Sequence, residues 1–181
     1  MLLFCLLLGG TAGVFELWTP SLPVQTARAF TPDDFDSFRA QERRRMQEMR
    51  EISRAKAIYV RYGCDEGLAA PTAAFAIRAN VPAAVVAADV VVESSCNKNA
   101  VSSAGAVGLM QIMPKIHHLD RRSLFDRETN LRAGTKILSD YAHTHGGLRE
   151  GLRHYYGVIE GSTESDEYAD HVLAVAYRRS R

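Results

Sequence analysis

Hydrophobic residues along this chain recur mostly at the three- and four-residue spacing that is typical of helices. The spacing predicts a long charged helix over residues 32–62, which we expect to pack along the domain, with docking to a partner as the alternative. Its narrow apolar stripe consists of Phe35, Phe38, Met46, Met49 and Ile52. Further helices are predicted at about 71–79, 82–94, 109–116, 130–145, 148–157 and 165–179. No long alternating stretch predicts a strand, so we expect a fold that is all-α or nearly so.

The most apolar of these segments ends at a carboxyl group. Residues 81–92 read VPAAVVAADVVV, which suits a buried helix with Pro82 at its first position. Glu93 then lies in the last turn. Burial raises the pKa of a carboxyl group, which makes Glu93 a candidate proton donor at neutral pH. Asp89 lies one turn earlier, and we expect a surface or salt-bridged residue there; if it projects into a cleft, it raises the pKa of Glu93 or acts as a second carboxylate.

A loop rich in Gly and polar residues follows and enters a second apolar run. Residues 93–114 read ESSCNKNAVSSAGAVGLMQIMP. This string resembles the lysozyme-like domain of the soluble lytic transglycosylase family, whose pattern is an ES pair, AVS, AGA-x-GLMQ and a Pro. So many matches in one register are far more specific than a lone short motif. The matching residues are Glu93-Ser94, Ala100 to Ser102, Ala104 to Ala106, Gly108 to Gln111 and Pro114.

The likeness continues to the C-terminal end of the chain. Residues 130–138 (NLRAGTKIL) resemble the family helix N-I-x-A-G-x-x-Y-L, and residues 151–156 (GLRHYY) stand where the family has A-L-x-A-Y-N. The segment from Glu164 to Leu173 resembles the closing helix E-T-x-x-Y-V-x-x-V-L. The resemblance therefore covers roughly residues 70–180, and it implies a lysozyme-like transglycosylase domain.

The resemblance also implies a chemistry that needs a single acid. Lytic transglycosylases cut the bond between MurNAc and GlcNAc in peptidoglycan without water. Glu93 would protonate the bridging oxygen, and the resulting carboxylate would take a proton from the C6 hydroxyl of MurNAc, which closes on C1 as a 1,6-anhydro ring. Intramolecular attack has a large proximity advantage, and a group that acts as acid and then base needs a pKa near the working pH. We expect a lyase without a cofactor.

Five further residues match family positions around the substrate. The resemblance implies that Ser94 orients the acid; alternatively, its hydroxyl bonds to its own helix backbone. Ser102 and Gln111 would hydrogen-bond the N-acetyl group of the sugar, and Met113 would form the wall of the cleft. Tyr155 matches a family tyrosine whose hydroxyl approaches the catalytic carboxylate.

Two helix caps are predicted in the C-terminal half. Asn130 fits either a cap or a structural residue of the family, and its residue type favours the cap. Thr163 and Asp166 have the spacing of a capping box at the start of the last helix.

The N-terminal segment predicts export. Leu2 to Leu8 is a compact apolar run without a preceding Lys or Arg, and Ala27-Arg28-Ala29 has the form of a cleavage site. Residues 1–29 are therefore expected to be a signal segment for a periplasmic protein, or a membrane anchor if they are not cleaved. Residues 30–68 would be a helical extension and residues 69–181 the transglycosylase domain.

Three cysteines agree with an oxidising compartment. Cys5 would leave with the signal segment, and Cys64 and Cys96 would remain as a pair. A disulfide between them would close a loop of about 30 residues and add roughly 3–4 kcal/mol to stability. The alternative is two reduced, buried thiols.

Composition and charge give no support to several other classes of protein. The 181 residues are 46% hydrophobic with a formal net charge of +1, which suits one hydrophobic core. This charge gives no electrostatic case for binding nucleic acid or an anionic membrane. His117-His118 and His143-x-His145 lack the spacing of a recognised metal site, so no metal is predicted.

The resemblance implies that the partner is the glycan strand of peptidoglycan, and we expect a monomer to bind it. A secretion, conjugation or pilus assembly is a further partner that the resemblance allows. Two alternatives remain open. The first is a hydrolase similar to goose-type lysozyme on the same fold. The second is a non-catalytic peptidoglycan-binding module, since Tyr156 replaces the Asn that usually follows the family tyrosine.

Overall fold

A computed structural model describes residues 31–158 and 162–178, and both ranges are helical with irregular connections. The helices are α1 (Pro32–Arg61), α2 (Ala69–Ala79), α3 (Ala83–Ser94), α4 (Pro114–His117), α5 (Arg127–Thr144), α6 (Leu148–Tyr156) and α7 (Glu164–Tyr177). Short 3-10 turns lie at Glu66–Leu68 and Ser123–Phe125. These ranges contain isolated bridges of Val107 with Val101 and Ile112 but no strand, which confirms the all-α prediction. The predicted signal segment, with Cys5, lies outside the described residues.

Helix α3 lies at the centre of the fold because it lacks a polar face. All its residues from 83 to 90 are buried, and it packs against α1, α2 and α7. Neighbours on several sides leave no solvent-facing stripe over these two turns, and the helix reaches solvent only at its C-terminal end. None of the helices in the described ranges combines the length and hydropathy that crossing a bilayer requires.

Helix α1 joins the domain through its C-terminal half. Ile58 and Tyr59 are buried there, and the Tyr59 hydroxyl lies 2.8 Å from that of Thr72 in α2. The carboxylate of Glu51 accepts the backbone N–H of Ala83 at 2.9 Å. Glu51 thereby satisfies an open donor of α3 and complements its dipole.

Residues 32–49 of α1 differ from the prediction that the whole helix packs along the domain. Four side chains of its apolar stripe are each half exposed or more: Phe35, Phe38, Met46 and Met49. The core contacts of α1 come from Ile52 onward, and its fully buried residues from Ala55 onward.

The helix predicted over 109–116 begins only at Pro114, where a proline suits the first helical position. Residues 109–113 instead form a turn and an isolated bridge, with Gln111 at a φ of +43°. This left-handed residue prevents the helix from starting earlier.

Both capping predictions are wrong. Asn130 lies within α5 and is buried, and Asp126 caps that helix by accepting the N–H of Thr129 at 2.8 Å. Thr163 has a helical backbone conformation rather than the extended one that capping needs, and its hydroxyl meets the Glu167 carboxylate at 3.1 Å. The hydroxyl of Ser162 accepts the first N–H of α7 at 3.1 Å instead.

A disulfide links Cys64 and Cys96, with 5.8 Å between their Cα atoms. It joins the chain just after α1 to the loop just after α3. Ser95 and Cys96 both have positive φ, so the chain turns sharply away from α3 there. The predicted cysteine pair is therefore present, and it holds the turn that immediately follows Glu93.

Candidate active site

Glu93 lies in the last turn of α3, half-buried, where the apolar helix meets solvent. Its Oε1 lies 2.6 Å from the Tyr168 hydroxyl of α7. Burial raises the pKa of Glu93, and the hydrogen bond from Tyr168 opposes part of that rise. The side chain therefore has the environment of a proton donor that can also exist as a stabilised carboxylate.

Ser94 connects the end of α3 to the following loop. Its hydroxyl lies 3.0 Å from the Val90 carbonyl of its own helix and 2.7 Å from the Leu109 carbonyl. The first contact is the backbone bond named above as the alternative for Ser94, and the second crosses to the loop. Both partners are backbone carbonyl groups, so the Ser94 hydroxyl ties the end of α3 to the backbone of the loop.

Two predicted sugar-binding residues take part in folding this loop. The Ser102 hydroxyl accepts the N–H of Ala106 at 3.0 Å. The Gln111 amide donates to the carbonyls of Ala100 at 3.2 Å and Gly108 at 2.9 Å. Within the described ranges, these bonds leave the hydroxyl hydrogen of Ser102 and the amide oxygen of Gln111 without a protein partner. Both groups can therefore bind a ligand.

Asn130 holds the loop against α5. Its side chain accepts the N–H of Met110 at 2.8 Å and donates to the carbonyls of Val107 and Leu124 at 2.9 Å each. A Cβ at Gly108 would lie 2.1 Å from the Asn130 amide nitrogen, so only glycine fits there. Asn130 is thus the structural residue that the resemblance implied as the alternative to a cap.

Replacing Asn130 by Ala should lower the free energy of unfolding by about 2–4 kcal/mol, because the N–H of Met110 and two carbonyls lose their partner in the interior. Urea unfolding followed by circular dichroism measures the change. The matched control is Asn99→Ala, since Asn99 is exposed in the preceding loop, and it should change stability by less than about 0.5 kcal/mol. Equal stabilities of the two variants would contradict the role of Asn130.

Two surface grooves flank this region. Half-buried Met113 lines one groove of about 480 Å³, and the other residues around it include Ala104, Gly105, Pro114, Leu119 and Arg121. A second groove of about 350 Å³ is lined by Val92, Tyr156, Glu164, Glu167, Tyr168 and His171. Tyr168 therefore lines the second groove, and its hydroxyl contacts the Glu93 carboxyl group.

The tyrosine that hydrogen-bonds Glu93 is Tyr168, although Tyr155 is close enough for the charge of Glu93 to raise its pKa. The hydroxyl of Tyr155 donates to the Met110 carbonyl at 2.7 Å and so supports the loop. Tyr168 makes the hydrogen bond to Glu93. The sequence contained one signal for this role, since a buried tyrosine needs a partner for its hydroxyl and Tyr168 lies on the apolar face of α7.

The expectation that Asp89 is a surface or salt-bridged residue is wrong. Asp89 is fully buried, because α3 is enclosed by its neighbours at this turn. Its Oδ1 lies 2.5 Å from the Tyr168 hydroxyl, and its buried Oδ2 has no hydrogen-bond partner. Burial raises the pKa of Asp89 well above its usual range, and the charge of Glu93 adds to this rise.

One family model matches the region that contains these groups. It is described as the transglycosylase SLT domain, and it matches residues 72–172, from the first turns of α2 into α7.

Proposed function

Because the chain belongs to the family of transglycosylase SLT domains, whose activity is murein cleavage of the lytic transglycosylase type, we propose that it cleaves the MurNAc-β-1,4-GlcNAc bond without water. In this proposal Glu93 acts first as acid and then as base, and the product carries a 1,6-anhydro-MurNAc end. The substrate is the glycan strand of peptidoglycan.

The observation that carries the proposal is the accessibility of the two neighbouring carboxyl groups. Glu93 reaches solvent, whereas Asp89 is fully buried behind it and cannot contact a sugar. Glycoside hydrolases commonly place two carboxyl groups on either side of the bond that they cleave. Of this neighbouring pair only Glu93 is open to a sugar, which favours a reaction in which an internal hydroxyl replaces the water.

Glu93 has the properties that both half-reactions require. Its raised pKa favours the protonated form, which gives its proton to the bridging oxygen. The carboxylate that remains accepts the Tyr168 hydrogen bond, so it persists until it takes the proton from the C6 hydroxyl. That hydroxyl belongs to the same sugar as C1, and the ring closure has the advantage of an intramolecular reaction.

We include Ser102, Gln111 and Met113 in the substrate site. The hydroxyl of Ser102 and the amide oxygen of Gln111 can meet the N-acetyl group, and Met113 supplies an apolar wall. In this proposal Ser94 and Tyr155 bind no sugar directly, because their hydroxyls hold the loop carbonyls of Leu109 and Met110.

We also propose that the protein works outside the cytoplasm, in the periplasm. The disulfide between Cys64 and Cys96 supports this location, because such bonds persist in oxidising compartments. The apolar segment at residues 1–29 is the corresponding export signal, or the anchor if it stays attached.

Mass spectrometry of purified murein that has been incubated with the protein tests the proposed reaction. We expect fragments that end in 1,6-anhydro-MurNAc, which weigh one water less than hydrolysis products. Fragments with reducing ends would support the lysozyme-like hydrolase instead. Sedimentation of the protein with murein but no released fragments would support the binding module.

A further inference from the structure

The Tyr168 hydroxyl lies between two carboxyl groups. Its oxygen is 2.5 Å from Oδ1 of Asp89 and 2.6 Å from Oε1 of Glu93. Oxygen atoms this close need a hydrogen between them, and the hydroxyl has only one. One of the two carboxyl groups must therefore supply a hydrogen of its own.

The structure favours Asp89 as the protonated group. Asp89 is fully buried, and its second oxygen has no partner, which is far more costly for a carboxylate than for a neutral acid. No ion pair within the described ranges includes Asp89. The titratable groups that influence or contact it are all neutral or acidic: Tyr59 from α1, Glu93 from α3, Tyr155 from α6 and Tyr168 from α7.

We propose that Asp89 is a positioning residue that stays protonated, donates its hydrogen to the oxygen of Tyr168, and thereby directs the Tyr168 hydrogen toward Oε1 of Glu93. The hydrogen bonds then run from Asp89 of α3 to Tyr168 of α7, and from Tyr168 to Glu93 of α3. The raised pKa of Asp89 agrees with this arrangement, since burial is its main cause.

The catalytic consequence rests on the proposed function. With Oε1 occupied by the Tyr168 hydrogen, the transferable proton of Glu93 lies on Oε2. That proton moves to the bridging oxygen as the glycosidic bond breaks, and the C6 hydroxyl later returns one to Oε2. The hydrogens of Asp89 and Tyr168 do not leave. The donation from Asp89 makes the Tyr168 hydroxyl a stronger donor to the carboxylate that forms between the two steps.

Infrared spectroscopy tests the protonation of Asp89 without any murein. The Glu93→Gln protein should show the carbonyl band of a protonated carboxyl group at pH values where ordinary carboxyl groups are ionised. The band should be missing from the Asp89→Asn/Glu93→Gln double variant, which is the matched control. A Glu93→Gln protein without this band at neutral pH would overturn the proposal.

The same two proteins should differ in how their stability depends on pH. An Asp whose pKa is higher in the folded than in the unfolded protein stabilises the folded state at pH values below its unfolded pKa of about 3.9. This stabilisation is lost as the pH rises to the pKa of the folded state. The unfolding equilibrium constant of the Glu93→Gln protein should therefore rise by up to about tenfold per pH unit relative to the double variant. Parallel curves from pH 4 upward would contradict a raised pKa at Asp89.

Kinetics distinguish positioning from a merely structural role. Asp89→Leu should lower kcat about tenfold, because the donor to Tyr168 is lost. Asp89→Asn should keep most of the wild-type kcat and leave the pH profile unchanged, because the Asn amide is a neutral donor to Tyr168. A shift of the upper limb of the Asn profile to lower pH would show that wild-type Asp89 is charged, and would overturn the proposal.

These measurements separate the two proposals. If the wild-type protein releases no 1,6-anhydro fragments, the proposed function fails, while the infrared and stability measurements still decide the state of Asp89. If the Asp89→Leu protein does not fold, the Asp89→Asn protein and the two proteins of the infrared experiment still decide whether Asp89 is protonated.

Discussion

Replacing Glu93 by Gln should lower the rate of murein cleavage by about 10²–10⁴-fold, the range that a positioned general acid contributes. Gln keeps the shape of the side chain and can still meet the Tyr168 hydroxyl, but it has no proton to give to the bridging oxygen. The rate is measured as soluble fragments released from purified murein per unit time. Binding of the variant to murein should remain, because the groove residues are unchanged.

The control for this variant is Glu128→Gln. Glu128 is an exposed residue in the first turn of α5, and its replacement makes the same change of side chain away from the site. Its rate should stay within about twofold of wild type, because surface substitutions away from special features have small effects. A Glu93→Gln protein that is as active as the control would refute the catalytic role of Glu93.

Removing the Cys64–Cys96 disulfide should lower the free energy of unfolding by about 3–4 kcal/mol. The bond closes a separation of 32 residues, so its loss gives the unfolded chain much more freedom. We expect this loss for the Cys64→Ser/Cys96→Ser double variant and for the wild-type protein in a reductant. Urea unfolding measures both.

The double variant is also the control for the reductant, because it has no disulfide to reduce between these helices. Its stability should not respond to the reductant, whereas that of the wild type should fall to the same value. We also expect lower activity from the double variant, since the bond holds the turn directly after Glu93. Equal stability of the wild type with and without reductant would contradict this prediction.

The helical pattern and the family motif could be predicted from local sequence. Residues 81–92 indicated a buried helix by their composition, and Glu93 followed as an acid at its end. The long helix over 32–62, observed at Pro32–Arg61, was indicated by a one-sided apolar stripe. Even so, the stripe did not reveal that four of its five residues face solvent, because periodicity shows which residues share a face and not what covers it.

Other assignments required the packed structure. Tyr168 contacts Glu93 across a separation of 75 residues, and Tyr155, which the motif favoured, bonds the loop instead. Which hydroxyl reaches the acid depends on how α6 and α7 are placed against α3. Asn130 was expected at a cap, but its three bonds join segments that are distant in sequence, and residue type alone does not show such partners.

The sequence by itself determined the all-helical fold, the family and the acid at the end of α3, because helical spacing and a dense motif are properties of neighbouring residues. Only the tertiary structure decided that Asp89 is buried behind that acid and that Tyr168 connects the two carboxyl groups. The physical reason is that burial and hydrogen bonding depend on which helices enclose a residue, and α7 covers this turn of α3 from a distant part of the chain.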